Sequence, residues 1–185
     1  MWTAFTTSNR PSSRRFLPVP DVTADGLTLR PAVPADAAAL TAIAHASKRH
    51  WKYPERWIAA WRDLLTIDAA LIAAMRVVVA EDAREPIAFI AVDVRGPRVV
   101  LEHLWVQPRA LGRGIGRALV ARAVAIAREA GATVLEVEAD PNAEAFYARL
   151  GAMRVGQRRA DVDGTERWLP VLEMPIGDVS PPVTE

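Results

Sequence analysis

In the first part of the chain, one short alternating run is followed by residues with helical spacing. The run "GLTLRPA" alternates apolar and polar side chains and predicts a first strand. Two amphipathic patterns follow, "VPADAAALTAIAHASKRHW" and "PERWIAAWRDLL", each with apolar residues on one helical face. The segment "TIDAALIAAM" is then either a short third helix or a continuation of the second.

From residue 76 the pattern changes to that of strands. Three runs are rich in β-branched residues: "RVVVAED", "PIAFIAVDV" and "RVVLEHLWV". The turn signals "AREP" and "RGP" separate them. We expect these three strands to pair as an antiparallel meander.

The remaining pattern predicts helix, strand, helix and a closing hairpin. A helix begins at Ile115 and ends where Gly131 suits a left-handed cap, and its apolar stripe comprises Ile115, Leu119, Val120, Ala123 and Ile126 or Ala127. The run "TVLEVEA" is a strand, "DPNAEAFYARLGA" a short helix, and "MRVGQRR" with "RWLPVLEMPI" a hairpin. The order βααβββαβαββ predicts a mixed α/β or α+β layered fold.

Length and composition change this picture little. The 185 residues are 51% hydrophobic and 24% charged, as expected for one globular domain. We expect that domain at residues 23–176, between disordered tails at 1–22 and 177–185. The arginines of the first tail would also suit a targeting segment, although its prolines oppose a helix.

Charge and cysteine content exclude several kinds of site. The net charge of +1 gives no field that would attract nucleic acid or a membrane surface. The chain has no cysteine and only three histidines, so we expect no disulfide, thiolate nucleophile or metal. No apolar run approaches the ~18 residues of a membrane span.

Three glycines stand close together before the second-half helix. In "QPRALGRGIGRALVARAV" (107–124), Gly112, Gly114 and Gly116 occupy five positions. The triplet Gly-Lys-Ser/Thr of a Walker A loop is missing, and a Rossmann fingerprint would need glycine where Arg117 or Leu119 stands. What remains is a glycine turn at a helix N-terminus, whose free amides and dipole favour an anion.

Local charge supports that interpretation. Residues 107–130 hold five arginines and a single acid, Glu129. The alternative is a tight strand-to-helix turn with a solvated basic face. Three glycines together with the local charge favour anion binding, and the glycines would clear room for phosphates.

Two motifs resemble a known family. "LGRGIGRAL" closely resembles the pyrophosphate loop of the GNAT N-acetyltransferases, whose signature is Gln/Arg-x-x-Gly-x-Gly/Ala. Gly114 and Gly116 fall on its two small positions, and Leu111 departs from its first. "DPNAEAFYARLGAMRVG" resembles the second family mark, and the resemblance extends over about residues 26–174, nearest to a bacterial subgroup.

The resemblance implies the GNAT fold, with a mostly antiparallel mixed sheet and helices on both faces. The sheet would split into a V between its fourth and fifth strands, "RVVLEHLWV" and "TVLEVEA". Acetyl-CoA would lie in the V, with its pantetheine along the fourth strand and its pyrophosphate on the glycine loop. The implied cofactor-binding residues are Leu104, Trp105, Val106, Leu111, Gly112, Arg113, Gly114, Ile115, Gly116, Arg117, Asn142 and Tyr147.

The resemblance also implies catalytic roles. Tyr147 matches the tyrosine that protonates the departing CoA thiolate. For the base we expect Glu102, with Glu138 and Asp140 as the next candidates, and strand alternation would point His103 away from Glu102. A bulge in the fourth strand would interrupt that alternation. Asn142 either binds the cofactor or caps the short helix.

The acceptor side is less defined. His50, Trp51 and Glu138 are the candidate substrate residues, in part because "KRHWKYPERW" concentrates aromatic rings at a helix-to-helix turn. Hydrophobic packing is the favoured explanation of these rings. If they instead form the acceptor pocket, aromatic walls would favour a flat or cationic amine.

These inferences predict a cytoplasmic enzyme that transfers acetyl from acetyl-CoA directly to a primary amine, without a metal. A homodimer is compatible with them, and neither nucleic acid nor membrane is an expected partner. The alternative is a non-catalytic acyl-CoA sensor with the same phosphate loop.

Overall fold

A computed structural model of the protein describes residues 21–22 and 27–177. Its single sheet has eight strands in the order β1-β2-β3-β4-β5-β6-β8-β7. The strands are β1 (Asp21–Val22), β2 (Thr28–Pro31), β3 (Arg76–Asp82), β4 (Glu85–Arg95), β5 (Arg98–Val106), β6 (Val134–Glu138), β7 (Met153–Val162) and β8 (Thr165–Pro175). The two-residue β1 shifts the numbering, so the predicted fourth and fifth strands are β5 and β6.

Five α-helices are described: α1 (Ala37–His50), α2 (Glu55–Ala60), α3 (Ala69–Ala74), α4 (Ile115–Glu129) and α5 (Glu144–Arg149). Short 3₁₀ turns precede α1 and α5 and follow β5. The segment "TIDAALIAAM" contains a separate helix, α3, with Asp68 capping its N-terminus. The second predicted helix is shorter than its pattern, because α2 ends at Ala60 and the chain turns through Trp61.

The sheet is antiparallel except between β5 and β6. These strands pair in parallel from Arg98 with Val134 to Leu101 with Val137. Beyond Leu101, β5 continues to Val106 paired only with β4, while β6 ends beside β8. The predicted split between these two strands is therefore confirmed.

Helices cover both faces of the sheet. The face under α4 carries the larger core cluster, which includes Ile90, Val92, Leu119, Leu135 and Leu172. The opposite face packs Phe89 and Val79 against α1 and α3. The fold is thus the predicted α/β (α+β) architecture with helices on both faces.

Helix α4 follows its sequence signals closely. It begins after Gly114, whose φ is +78°, and Gly131 follows its end at φ +68°. Every residue of the predicted apolar stripe is buried. A local pattern with a glycine at each end therefore suffices to define this element.

Most residues of the two predicted disordered tails, 1–22 and 177–185, lie outside the described residues. Asp21 and Val22, which we assigned to the first tail, pair instead with Leu29 and Thr28 as β1. Among the described helices, none is long and apolar enough to cross a membrane. The described residues also contain no cluster of side chains that could hold a metal ion.

Candidate active site

A cavity of about 650 Å³ lies where β5 and β6 separate. The strands contribute its floor, the glycine loop and α4 one wall, and the segment from the end of β6 through α5 another. Of the predicted site residues, the cavity is lined by Trp51, Glu102, Leu104, Trp105, Val106, Leu111, Gly112, Gly114, Ile115, Gly116, Arg117, Glu138, Asn142 and Tyr147. His50 and Arg113 do not line it.

The glycine loop presents free backbone donors to this cavity. Among the described residues, no backbone carbonyl accepts a hydrogen bond from the amides of residues 112–117, and the first helical bond runs from Ala118 to Gly114. Gly112 and Gly114 both have φ of +78°, which side chains other than glycine rarely adopt. The loop therefore has the geometry of an anion site at a helix N-terminus.

The three glycines of the loop differ in what requires glycine within the protein itself. A Cβ on Gly112 or Gly114 would meet no protein atom within 4 Å, so within the protein it is the positive φ that requires glycine there. A Cβ on Gly116 would lie 3.2 Å from Cζ of Phe146. Gly116 thus brings α4 against α5 across the cavity.

Ion pairs offset much of the local arginine excess. Arg109 pairs with Glu85, Arg113 with Asp82 and Arg122 with Glu129. The Arg113 side chain is therefore directed to β3 rather than to the cavity, so only its backbone is left for the predicted cofactor role. Arg117 lines the cavity without an ion pair among the described residues, as does Arg149, which the sequence reasoning missed.

Glu102 is the extra residue of a β-bulge. Ala91 pairs with His103 and Val92 with Leu101, which leaves Glu102 without a partner on β4. Its carboxylate accepts a hydrogen bond from Nη2 of Arg95 at 2.7 Å. Burial raises the pKa of Glu102, and although Arg95 opposes this, the net direction is upward.

The bulge interrupts the alternation on which the orientation of His103 was predicted. His103 accepts a hydrogen bond from the Trp105 indole at 3.2 Å and lies beside the Phe89 ring. Burial lowers the pKa of His103 to about 4. These surroundings suit a neutral structural imidazole.

The two other candidate bases differ sharply from each other. Glu138 lines the cavity, pairs with Arg158 at 2.5 Å, and has its pKa raised by burial. Asp140 instead accepts from Lys48 Nζ at 2.6 Å and from the Tyr53 hydroxyl at 2.8 Å. Burial would raise the pKa of Asp140, but these donors lower it overall. Asp140 is therefore a poor base, and Glu102 and Glu138 remain.

Asn142 lies at the cavity but is committed to protein partners. Its side-chain amide donates to the Tyr53 hydroxyl at 2.8 Å and to Asp140 at 3.1 Å. Asp140, not Asn142, caps the 3₁₀ turn before α5 by accepting from the Asn142 backbone amide. The helix-capping alternative for Asn142 is thus wrong.

Tyr147 combines burial with access to the cavity. The residue is 5% exposed and lines the cavity. Burial raises the pKa of its hydroxyl well above the usual value, so the group stays protonated. The hydroxyl has no hydrogen-bond partner among the described residues and can donate to a ligand.

The aromatic rings of the turn on the acceptor side pack against one another and against two cations of the protein. Tyr53, Trp57 and Trp61 pack on one another with ring centroids 5.2–5.8 Å apart. Lys48 Nζ lies 4.2 Å from the Trp61 ring centroid, and Arg167 lies over all three rings. We call these five residues the cation–aromatic cluster. Its ring faces already hold cations of the protein itself.

Comparison with known proteins identifies a family. The model of the acetyltransferase (GNAT) family matches residues 40–152, more than half of the chain. A GCN5-related N-acetyltransferase from Rhodopseudomonas palustris is 26% identical, with a TM-score of 0.67 over 88% of this chain and 99% of that one.

Two more distant structures share the fold. The PaiA N-acetyltransferase from Thermoplasma acidophilum, solved with coenzyme A, is 20% identical with a TM-score of 0.65, over 80% of this chain and 98% of that one. The Salmonella typhimurium protein yncA, solved with acetyl-CoA, is 23% identical with a TM-score of 0.60, over 84% of this chain and 97% of that one.

The split sheet, the glycine loop with its free amides and the family match lead to one assignment. The chain belongs to the acetyltransferase (GNAT) family and is an acetyl-CoA-dependent acyltransferase.

Proposed function

We propose that this enzyme transfers the acetyl group of acetyl-CoA directly to a primary amine. The observation that carries the proposal is the cavity itself, which joins the free amides of the glycine loop to Glu102, Glu138 and Tyr147. The loop offers donors for an anion, and the three side chains offer groups that can accept or donate a proton.

Acetyl-CoA would lie along this cavity. The amides of residues 112–117 would hold the pyrophosphate, and Arg117 and Arg149 would add charge for its phosphates. Beyond Leu101 no strand among the described residues pairs with the backbone of β5 on the β6 side. This free edge, near Trp105 and Val106, would pair with the pantetheine as with an added strand.

Glu102 is our first choice for the group that takes the proton of the amine. A carboxylate with a raised pKa is a stronger base than an exposed one and stays within reach of working pH. Glu138 lines the same cavity, and its negative charge raises the pKa of Glu102 further. Together the two carboxylates would also attract the ammonium form of the acceptor.

Tyr147 would assist the departure of CoA. Because its pKa is raised by burial, the hydroxyl would act chiefly as a hydrogen-bond donor to the sulfur. A thiol has a pKa near 8.5, which is below that of Tyr147, so complete proton transfer from the Tyr147 hydroxyl to the thiolate would be uphill. Donation to the developing charge lowers the barrier without requiring a complete transfer.

An acceptor screen tests this proposal. Purified protein is mixed with acetyl-CoA and a panel of primary amines, and released CoA thiol is measured. We expect release that depends on both the enzyme and an amine. Acetyl-CoA alone should stabilise the fold by ~2.7 kcal/mol at 100 times its Kd. Stabilisation without release for any amine would instead support the non-catalytic sensor, and no stabilisation would contradict the cofactor site.

A further inference from the structure

The cation–aromatic cluster carries more positive than negative charge. Lys48 Nζ lies 2.6 Å from Oδ2 of Asp140, and Nη2 of Arg167 lies 3.7 Å from the same oxygen. Two cations therefore share one carboxylate, and neither has another ion pair among the described residues. One positive charge of the cluster is therefore not balanced by a carboxylate among the described residues.

Arg167 packs against three aromatic rings but uses few of its donors. Its Cζ lies 5.0, 5.4 and 5.1 Å from the ring centroids of Tyr53, Trp57 and Trp61, and its side chain is 13% exposed. The guanidinium makes one hydrogen bond, from Nη2 to the Tyr53 hydroxyl at 3.0 Å. Four of its five N–H groups thus have no hydrogen-bond partner among the described residues.

The unused donors of Arg167 are reachable from outside. Among the described residues, the Trp57 indole nitrogen is the sole fully buried side-chain polar atom without a partner. The remaining guanidinium nitrogens therefore keep contact with solvent. A planar guanidinium with a free edge is suited to bind a carboxylate through two parallel hydrogen bonds.

Arg167 lies directly behind the wall of the cavity. Asp140 and Asn142 line the cavity, and the Tyr53 hydroxyl joins both of them to Arg167. Glu102 and Glu138 line the same cavity. A net positive charge, from Lys48 and Arg167 around Asp140, therefore lies beside the cavity that the two glutamates line, although no residue of the cluster is itself part of the lining.

We propose that the acceptor is a small amine that also carries a carboxylate, which binds to Arg167 while the amine faces Glu102 and Glu138. This substrate class rests on the proposed amine acetylation. The cluster would repel a simple cationic amine, and a zwitterion would match the polarity on both sides. Lys48 adds positive charge but is held by Asp140, so Arg167 supplies the hydrogen bonds.

Matched acceptor pairs test the proposal. Amino acids whose amine and carboxylate are separated by increasing numbers of carbons are each compared with their carboxamides, at a pH above both amine pKa values. We expect kcat/KM at least ~10-fold higher for the best acid than for its amide, since a charged hydrogen bond is lost in the amide. The spacing series gives the distance between the two sides.

Variants of Arg167 separate recognition from folding. Arg167→Gln should lower kcat/KM for the acid to the level of its amide and leave the amide unchanged. With Arg167→Lys, kcat/KM for the acid should lie between the values of the unmodified protein and Arg167→Gln, because lysine keeps the charge but lacks the planar guanidinium. The control is Arg159→Gln on β7, which removes an exposed ion pair with Glu166. It should leave kcat/KM unchanged for both the acid and the amide. Retained stabilisation by acetyl-CoA would show that each variant is folded.

The outcomes distinguish the proposed carboxylate site from the proposed amine acetylation on which it rests. Equal kcat/KM for acid and amide, or equal losses for both in Arg167→Gln, would overturn the carboxylate site and leave amine acetylation standing. If no amine is acetylated, binding of N-acetylated amino acids to the CoA-loaded protein is measured by calorimetry. Binding at least ~10-fold weaker in Arg167→Gln would support the site. Absence of binding to the unmodified protein would overturn it.

Discussion

The three carboxylates at the cavity differ in how many donors surround them. Glu102 and Glu138 each pair with a single arginine, and burial raises the pKa of both. Asp140 receives a lysine, a tyrosine and the Asn142 amides, and its pKa is lowered. The number of donors therefore decides which carboxylates can accept a proton and which one holds the structure together.

Glu102→Gln tests the proposed base. Turnover at neutral pH should fall by about 10²-fold, with acetyl-CoA binding kept, because only proton acceptance is lost. The defect should shrink at high pH, where the amine is already neutral. Steady-state rates measure this, with Glu129→Gln at the exposed end of α4 as the control. A variant with full turnover would transfer the role to Glu138.

The same substitution has a predictable effect on stability. Because the folded state raises the pKa of Glu102, it binds this proton more tightly than the unfolded chain does. Stability is therefore lost as pH rises through the window above the ordinary value of 4.5. Glu102→Gln should be at least as stable as the unmodified protein at pH 7 in urea unfolding, with the difference vanishing below pH 4. A lower stability at pH 7 would show that the pair with Arg95 outweighs the burial.

Tyr147→Phe tests the hydrogen bond to the leaving thiol. The ring is kept, so packing and acetyl-CoA binding should hold, and kcat should fall by about 10- to 10²-fold. Because the pKa of Tyr147 lies above the usual range, its loss should remove no ionisation from the pH–rate profile between pH 6 and 9. An unchanged kcat, with chemistry rate-limiting, would exclude the role.

At the scale of elements, the glycine loop and α4 were predictable because their signals are local. The glycine turn, the apolar stripe and the Gly131 cap all lie within one stretch of chain. The bulge at Glu102 and the contact between Gly116 and Phe146 could not be predicted in this way, because each depends on a second element that is distant in sequence. The cluster around Arg167 joins α1, the turn after it and β8, so no window of sequence contains it.

Gly116→Val tests the contact between α4 and α5. The added side chain would displace Phe146 and enter the proposed phosphate site, so the Kd of acetyl-CoA should rise at least ~10-fold. Gly156→Val on β7 is the control, because a Cβ there meets nothing within 4 Å. Calorimetric titration measures both, and equal affinities would show that this face of the loop does not contact the cofactor.

Asp140→Asn tests the network that joins α1 to the end of β6. Removing the carboxylate leaves Lys48 buried without its anion, which should cost about 3 kcal/mol of unfolding free energy at pH 7. Because the folded pKa of Asp140 is lowered, its contribution is present above the ordinary 3.8 and is lost as pH falls through the folded value. Urea unfolding should therefore show a difference that narrows below pH 4, and Asp63→Asn, exposed on the surface, should show none. A difference that stays constant with pH would contradict the ion pair.

At the scale of the whole molecule, the site forms where the neighbouring strands β5 and β6 stop pairing. β5 and β6 run together as far as Leu101 and Val137 and then diverge, which opens the cavity between them. This split was predictable only through the family resemblance, because alternation gives the strands but not their separation. The distribution of charge across the cavity came from the structure alone.

Direct transfer within this cavity is the central claim, and one measurement tests it. The enzyme is mixed with isotopically labelled acetyl-CoA under single-turnover conditions, and intact protein and amine are followed by mass spectrometry. The account predicts no labelled protein before an acceptor is added and one labelled acetyl group per amine afterwards, matched by free CoA. Accumulation of an acetylated protein that then passes its label to the amine would contradict direct transfer.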